Sequence, residues 1–215
     1  MNETKNTDCS ELTEFYSEKY NLIFYHITKC AMTSILRSPQ LDMKTTLCRD
    51  VPEDAKIFCI LRDPYERALS SYVHVAWLAK NRARMLLSVE KYFETLWHDG
   101  TPKYINSHCW PQSYFLEYSP EYLGNSWIGR RLNKVDYFLN INHLNSDLSK
   151  ITGDTIRLTK QNIGCGLIGP GRILPSEHKT AMAEFKQEKY KEDVKRLYEM
   201  DYRLYNEKIN NKGSL

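Results

Sequence analysis

Short apolar runs, each followed by a polar turn, recur along the chain. The clearest runs are Asn21 to Ile27 and Lys56 to Leu61, which are short and mostly apolar, as parallel strands covered on both faces tend to be. Val135 to Leu139 and Thr155 to Leu158 are two further predicted strands. Because helical patterns alternate with these strands, the sequence predicts an α/β three-layer sandwich with a central parallel sheet.

Helical spacing of apolar residues separates the predicted strands. From Glu66 to about Arg84 apolar residues recur every three or four positions, which predicts a long helix. Leu144 to Ile151 predicts a short helix. The tail from Ser176 is also predicted to be helical, with these repeating positions: Tyr190, Val194, Leu197, Tyr198, Asp201 and Leu204.

Residues from about 88 to 131 fit this alternation poorly. The stretch contains three of the four tryptophans, Trp97, Trp110 and Trp127. It is predicted to be a helical, loop-rich insertion. Two interpretations stay open: its rings shape a substrate pocket, or they simply belong to the core.

Length and charge narrow the function classes. The 215 residues predict one domain spanning residues 1–215. The net charge of +3 arises from 30 basic and 27 acidic residues of interspersed sign, so neither a nucleic-acid partner nor a membrane partner is expected. No signal peptide and no run of about 18 apolar residues is present, which favours a soluble, cytoplasmic protein. The oligomeric state is left open.

The six cysteines are widely spaced and form no C-x-x-C pair. This spacing excludes zinc-ribbon and thioredoxin-like sites, and the thiols are expected to be reduced and mostly buried. The six histidines also lack the H-E-x-x-H and H-x-x-E-H spacings, so no metal site is expected.

The segment from His26 to Arg37 has the character of a phosphate-binding loop. A predicted strand leads into a short loop that contains Lys29, and a helix that opens with Thr33 and Ser34 follows. Backbone N–H groups, hydroxyl donors and a lysine in this order suit a bound anion. The Walker A spacing G-x-x-x-x-G-K-[ST] is absent, which disfavours an ordinary kinase or ATPase. Cys30 is either a reactive thiol of low pKa or an inert loop residue.

A second polar loop follows the run that ends at Leu61. Arg62 leaves the strand, Pro64 marks the turn, and Ser70 lies on the predicted helix. A guanidinium and a serine hydroxyl are a pair suited to a phosphate monoester. Alternatively, Arg62 has a structural role and pairs with a nearby carboxylate, Asp63 or Glu66.

Together these segments resemble the sulfotransferase superfamily, particularly its carbohydrate-type, or family 2, enzymes. The first loop is similar to their 5′-phosphosulfate motif, Pro-Lys-x-Gly-x-Thr-Ser, and residues 62–72 closely match their 3′-phosphate motif, Arg-Asp-Pro-x-x-Arg-x-x-Ser-x-Tyr. Residues 108–112 resemble a further family segment, His-x-x-Pro-Gln, and residues 198–205 resemble its closing helix. The first loop departs from the pattern, since Thr28 replaces proline and Ala31 and Met32 replace glycine-like residues.

The resemblance implies a P-loop-like nucleotide-binding core and the donor 3′-phosphoadenosine 5′-phosphosulfate (PAPS), with a glycan or small molecule as acceptor. It implies that Lys29 stabilises the leaving group and that Arg62 and Ser70 hold the 3′-phosphate. In the first loop the implied donor contacts are Lys29, at the oxygen that bridges phosphate and sulfate, and the residues that hold the 5′-phosphate: Cys30, Ala31, Met32, Thr33 and Ser34.

The remaining expected site residues come from later segments. His108 is the first candidate for the general base and His74 the second. The glycine-rich stretch from Gly164 to Arg172 is either a loop that closes over the nucleotide, with Arg172 contacting phosphate, or a surface turn. Two other functions stay open: a P-loop-like nucleotide or small-molecule kinase, and a non-catalytic nucleotide-binding module.

Overall fold

The computed structural model describes residues 13–83, 86–98, 101–103, 107–117, 135–158 and 175–211. The strands are β1 (Thr13–Ser17), β2 (Leu22–Tyr25), β3 (Lys44–Leu47), β4 (Lys56–Leu61), β5 (Trp97–His98), β6 (Thr101–Pro102) and β7 (Val135–Asn140). The helices are α1 (Met32–Leu36), α2 (Pro64–Ala83), α3 (Val89–Leu96), α4 (Gln112–Glu117), α5 (Leu144–Thr152), α6 (Pro175–Phe185), α7 (Glu188–Leu197) and α8 (Glu199–Tyr205).

Among the described residues, five strands form the central sheet in the order β3-β1-β2-β4-β7. β2 runs parallel to β4 and β4 parallel to β7, whereas β1 runs antiparallel to both β2 and β3. Four strands therefore share one direction, and helices lie on both sides of the sheet. The predicted α/β sandwich with a mainly parallel sheet is confirmed, and β1 adds one opposing strand.

The two central strands position the loops that carry the candidate chemistry. All four residues of β2 and the five residues Ile57 to Leu61 of β4 are buried, as their apolar sequences require. Tyr25 at the end of β2 pairs with Cys59 of β4. Because the two strands are parallel neighbours, their carboxyl ends open on the same edge of the sheet, where α/β proteins bind ligands.

Most predicted elements have the expected place in the chain. β4 has the predicted bounds, while β2 is shorter than the predicted Asn21–Ile27 and β7 ends one residue later than predicted. The long helix α2 and the short helix α5 are also confirmed. The helical tail is divided into three helices, α6, α7 and α8, and a π-helical turn at Asn206–Asn210 follows them.

The predicted strand at Thr155 to Leu158 is wrong, because this segment forms no ladder with a neighbouring strand. Side chains satisfy its backbone instead. The Ile156 N–H donates to Ser149 Oγ at 2.8 Å, and the Leu158 N–H donates to Asn145 Oδ1 at 3.0 Å. The Arg157 N–H donates to Gln40 Oε1 at 2.8 Å. Its apolar residues are therefore held beside α5 without joining the sheet.

The described part of the insertion contains α3, the small hairpin of β5 and β6, and α4. Trp97 packs against the apolar cluster formed by α2, α3, α6 and α7, and Trp110 packs against the cluster around the sheet. Both rings are only partly buried, so the two interpretations of the insertion stay predictions. Trp127 lies outside the described residues.

Within the described ranges, no helix combines the length and the apolar character that crossing a membrane requires. The cytoplasmic location stays a prediction, as does the single domain over residues 1–215.

Candidate active site

The loop after β2 has an unusual backbone at its lysine. Lys29 and Ala31 both adopt positive φ angles, 68° and 60°, and the Cys30 N–H donates to the Ile27 carbonyl at 3.1 Å. Left-handed conformations of residues other than glycine cost about 1–3 kcal/mol and tend to occur at functional sites. Ala31 occupies the glycine-like position of the expected motif, and its φ explains why glycine suits that position.

Lys29 lies in a strongly positive, largely buried environment. Burial first, and then the nearby guanidinium groups of Arg62 and Arg67, together lower the pKa of its ammonium group to about 8. An ammonium group in such surroundings is stabilised by a bound anion. The electrostatics of the loop therefore favour a phosphate or sulfate group beside Lys29.

Arg62 joins the first loop to the second. It follows β4 directly, and its Nη1 donates to the Lys29 carbonyl at 3.4 Å. Its Nη2 lies 3.6 Å from Glu66 Oε2, so the ion pair considered from the sequence is present. Because the Glu66 side chain is 55% exposed, this ion pair contributes little to stability, and an anionic ligand can replace it.

The residues after Arg62 start helix α2 and orient its first turn. Asp63 Oδ1 accepts a hydrogen bond from the Glu66 N–H at 3.0 Å, and Pro64 occupies the first helical position. These are preferred residues for a helix start. The Arg-Asp-Pro sequence therefore directs Arg62 out of the helix and turns Arg67 inward.

Arg67 is a buried cation for which the sequence pattern predicted no specific role. Its side chain is fully buried, with Nε donating to the Thr28 carbonyl at 3.1 Å and Nη2 to Thr28 Oγ1 at 3.3 Å. Its Nη1 is also buried and has no hydrogen-bond partner within the described part of the chain. Arg67 therefore supports the lysine loop through Thr28 and adds positive charge to the site.

Thr28, which stands where the related motif has proline, is part of the same support. Its hydroxyl donates to the Ser107 carbonyl at 2.6 Å while accepting from Arg67. The threonine thus ties the lysine loop to the segment that carries His108. Proline has no hydroxyl group and would form neither of these two hydrogen bonds.

His74 and His108 form a pair beside Lys29. Their ring centroids are 4.0 Å apart, and the Ser71 hydroxyl donates to the His108 carbonyl, which links α2 to the His108 segment. The pKa of both imidazoles is lowered to about 4. Burial is the main cause for each; Lys29 acts in the same direction on His74, and His74 followed by Lys29 does so on His108. Both rings are therefore neutral near pH 7 and able to accept a proton.

The other predicted site residues differ in their surroundings. Thr33 is exposed, whereas Met32, Ser34 and Ser70 are partly buried. Burial raises the pKa of the Cys30 thiol to about 11, which favours the inert interpretation over a reactive thiolate. Arg172, with the whole stretch from Gly164, lies outside the described residues.

The described ranges contain free cysteine thiols and no cluster of metal-binding side chains. Cys30, Cys48, Cys59 and Cys109 are all free, and three of them are buried. No group of three or more histidine, cysteine, aspartate or glutamate residues there is arranged to hold a metal ion. The expectation of a metal-free site stays a prediction.

A sequence model of the sulfotransferase family matches residues 37–206. The chain belongs to the sulfotransferase family. In this sulfotransferase the matched range includes Arg62, Arg67 and the paired histidines His74 and His108. The Lys29 loop precedes the matched range. A search of curated proteins and a search of solved structures each gave no match. Family membership supports sulfuryl transfer as the general activity.

Proposed function

We propose that this sulfotransferase moves the sulfuryl group of PAPS to a hydroxyl or amino group of a glycan or small molecule. One observation carries the proposal: Lys29 and Arg62 leave adjacent parallel strands and meet at the same edge of the sheet, with Arg62 Nη1 3.4 Å from the Lys29 carbonyl oxygen. Two cationic side chains from two loops suit a donor that carries two separate anionic groups.

The charges around the site fit such a donor. Lys29, Arg62 and the buried Arg67 supply three positive charges. Two carboxylates oppose them: the exposed Glu66, which pairs with Arg62, and the buried Asp201, whose charge acts on Arg67. Burial is the main cause of the lowered pKa of Lys29, and the charges of Arg62 and Arg67 act in the same direction. A polyanionic nucleotide supplies the missing negative charge.

Each residue has a proposed role. Lys29 stabilises the negative charge that develops on the leaving phosphate as the sulfur–oxygen bond breaks. The backbone from Cys30 to Ser34, with the hydroxyls of Thr33 and Ser34, holds the 5′-phosphate. Arg62 and Ser70 hold the 3′-phosphate, and Arg172 adds a further phosphate contact. PAPS supplies the activated sulfuryl group, and the chain orients it and neutralises charge, as in phosphoryl transfer.

The histidine pair is the proposed general base, with His108 the first candidate and His74 the second. A base must be neutral to take the acceptor's proton, and the lowered pKa values keep both imidazoles neutral above about pH 4. Trp77 lies next to the pair, with its ring centroid 5.8 Å from that of His74. This aromatic surface is a proposed contact for the flat face of a sugar or small molecule.

The nucleotide site is tested by calorimetric titration with 3′-phosphoadenosine 5′-phosphate (PAP), adenosine 5′-phosphate and ATP. We expect the wild-type protein to prefer PAP, and Arg62→Ala to lose about ten- to a hundredfold in PAP affinity, because charge-assisted hydrogen bonds to the 3′-phosphate disappear. Arg203→Ala, which removes an exposed arginine paired with Glu199, is the matched control and should bind PAP normally.

Other outcomes of this titration point to other functions. A preference for ATP would support a kinase-like protein. PAP binding without sulfate release from PAPS would support a non-catalytic nucleotide-binding module. Equal affinity of Arg62→Ala and wild type would contradict the role of Arg62.

The histidine assignment predicts the pH dependence of turnover. With PAPS and water as the acceptor, we expect a constant rate of sulfate release from pH 7 to pH 5 and a fall only as the pH approaches about 4, where the imidazoles protonate. The His108→Ala and His74→Ala variants identify the base, because the acid limb disappears only when the acting histidine is lost. A rate that already falls near pH 6.5 would contradict the lowered pKa values of the two imidazoles, and an acid limb that persists in both variants would exclude both histidines as the base.

A further inference from the structure

A buried glutamine connects the two loops of the candidate site. Gln112, the first residue of α4, is fully buried. Its side-chain amide exchanges two hydrogen bonds with the backbone of Arg62: the Arg62 N–H donates to Oε1 at 2.9 Å, and Nε2 donates to the Arg62 carbonyl at 2.8 Å. The amide therefore satisfies the backbone N–H and C=O of Arg62, as a neighbouring strand would in a sheet, although β4 has already ended at Leu61.

The same glutamine oxygen also reaches the lysine loop. The thiol of Cys30 donates to Gln112 Oε1 at 3.3 Å. Cys30 directly follows Lys29, and Arg62 itself contacts the Lys29 carbonyl. One amide group therefore contacts the residue after Lys29 and the residue that carries the guanidinium.

Gln112 is held firmly from the opposite side. Its backbone N–H donates to Asp201 Oδ2 at 2.7 Å, and Asp201 Oδ1 accepts from the N–H and the hydroxyl of Ser113, each at 2.9 Å. The Tyr198 hydroxyl donates to the Cys109 carbonyl at 2.8 Å, which fastens the preceding residues to the C-terminal helices. The amide of Gln112 is thus a rigid spacer with an anchored backbone.

We infer that Gln112 is a positioning residue that sets the spacing between the guanidinium of Arg62 and the Lys29 loop, and thereby the preference for a nucleotide with a 3′-phosphate. This inference rests on the proposed function. It assigns Gln112 no contact with the nucleotide; the residue acts through Arg62 and Cys30. A nucleotide with two phosphate groups needs both loops at the correct distance, whereas a nucleotide with one phosphate group does not. A change in this distance therefore weakens binding of the first nucleotide more.

The experiment compares Gln112→Met with Ser113→Ala by calorimetric titration of PAP and of adenosine 5′-phosphate, well below both unfolding midpoints. Gln112→Met keeps the length of the side chain and the backbone bond to Asp201 but loses all three hydrogen bonds of the amide. Ser113→Ala loses one hydrogen bond to Asp201 and retains the Gln112 amide that bonds Arg62 and Cys30. We expect the ratio of PAP affinity to adenosine 5′-phosphate affinity to fall about tenfold or more in Gln112→Met only.

Gln112→Glu is the second variant. Its carboxylate still accepts from the Arg62 N–H and the Cys30 thiol but cannot donate to the Arg62 carbonyl, so an intermediate ratio is expected; it also supplies the test if Gln112→Met does not fold. A lower unfolding temperature with an unchanged affinity ratio would overturn the inference and leave the proposed function standing. A wild-type protein without any preference for the 3′-phosphorylated nucleotide would overturn both.

Discussion

Lys29→Met is expected to lower the rate of sulfate release from PAPS by about 10²–10³-fold while making the ligand-free protein more stable. The loss of rate follows from the proposed role of the ammonium group at the leaving phosphate, where one missing donor has an effect of this size. The gain in stability follows from its surroundings. Methionine has a similar length and needs no compensating anion beside Arg62 and Arg67.

The pH dependence of unfolding gives the sign and an approximate size of the stability effect. The pKa of Lys29 is lowered from 10.5 to about 8 in the folded protein, chiefly by burial. Between these values the unfolded chain binds more protons, so the wild-type free energy of unfolding should rise with pH from about 8 to 10.5, whereas the penalty is complete below pH 8. At pH 7 we expect Lys29→Met to gain on the order of 1–2 kcal/mol, allowing for partial exposure of the lysine.

Urea unfolding of both proteins at pH 7 and pH 10 measures this effect. Lys44→Met is the matched control, because Lys44 is exposed and forms an ion pair with the exposed Asp42. Its stability and its rate of sulfate release should stay near those of wild type. A Lys29→Met variant that is less stable than wild type at pH 7 would contradict the inference that the buried ammonium group destabilises the ligand-free protein.

The sequence predicted the elements whose own residues determine them. β4 is an unbroken apolar run, and α2 repeats apolar residues at helical spacing, so local patterns suffice for both. β1 and β3 escaped prediction because they are short and rich in polar residues. Thr13–Ser17 contains a buried glutamate, and Lys44–Leu47 lies at an edge of the sheet with two exposed and two partly buried residues. Their pairing depends on strands elsewhere in the chain.

Thr155 to Leu158 illustrates the opposite error. Its alternating apolar residues indicated a strand, and Ile156 is indeed buried. A ladder needs a free neighbouring strand edge, however, and here Ser149, Asn145 and Gln40 satisfy the backbone instead. A pattern in one segment contains no information about such partners.

The candidate site divides in the same way. Lys29 and Arg62 were predictable because each follows an apolar strand in a recognisable motif, and parallel neighbours bring such loops together. The supporting contacts join residues far apart in sequence, with Gln112 lying 50 residues from Arg62 and 89 from Asp201. One signal was present: Asp201 occupies a position in the repeating apolar pattern of the tail, where a carboxylate needs a buried partner.

Asp201→Ala is expected to destabilise the protein by about 3–5 kcal/mol, the largest effect on stability among the changes considered, because it leaves buried groups without their partner. The carboxylate is fully buried and accepts three hydrogen bonds from Gln112 and Ser113. Burial raises the pKa of Asp201, and the positive charge of Arg67 together with these hydrogen bonds opposes that shift. Removing the carboxylate takes an opposing charge away from the fully buried guanidinium of Arg67.

Urea unfolding at pH 7 measures this loss beside Ser113→Ala, which removes a single hydrogen bond to the same carboxylate and should cost about 1 kcal/mol. Arg67→Met in the Asp201→Ala background separates charge from hydrogen bonding. If the uncompensated guanidinium causes much of the loss, the double variant is more stable than the sum of the two single changes, since neither buried charge is then left alone. If the two changes are strictly additive, the cost of Asp201→Ala instead comes from the hydrogen bonds lost at the start of α4. The charges of Arg67 and Asp201 would then not be coupled.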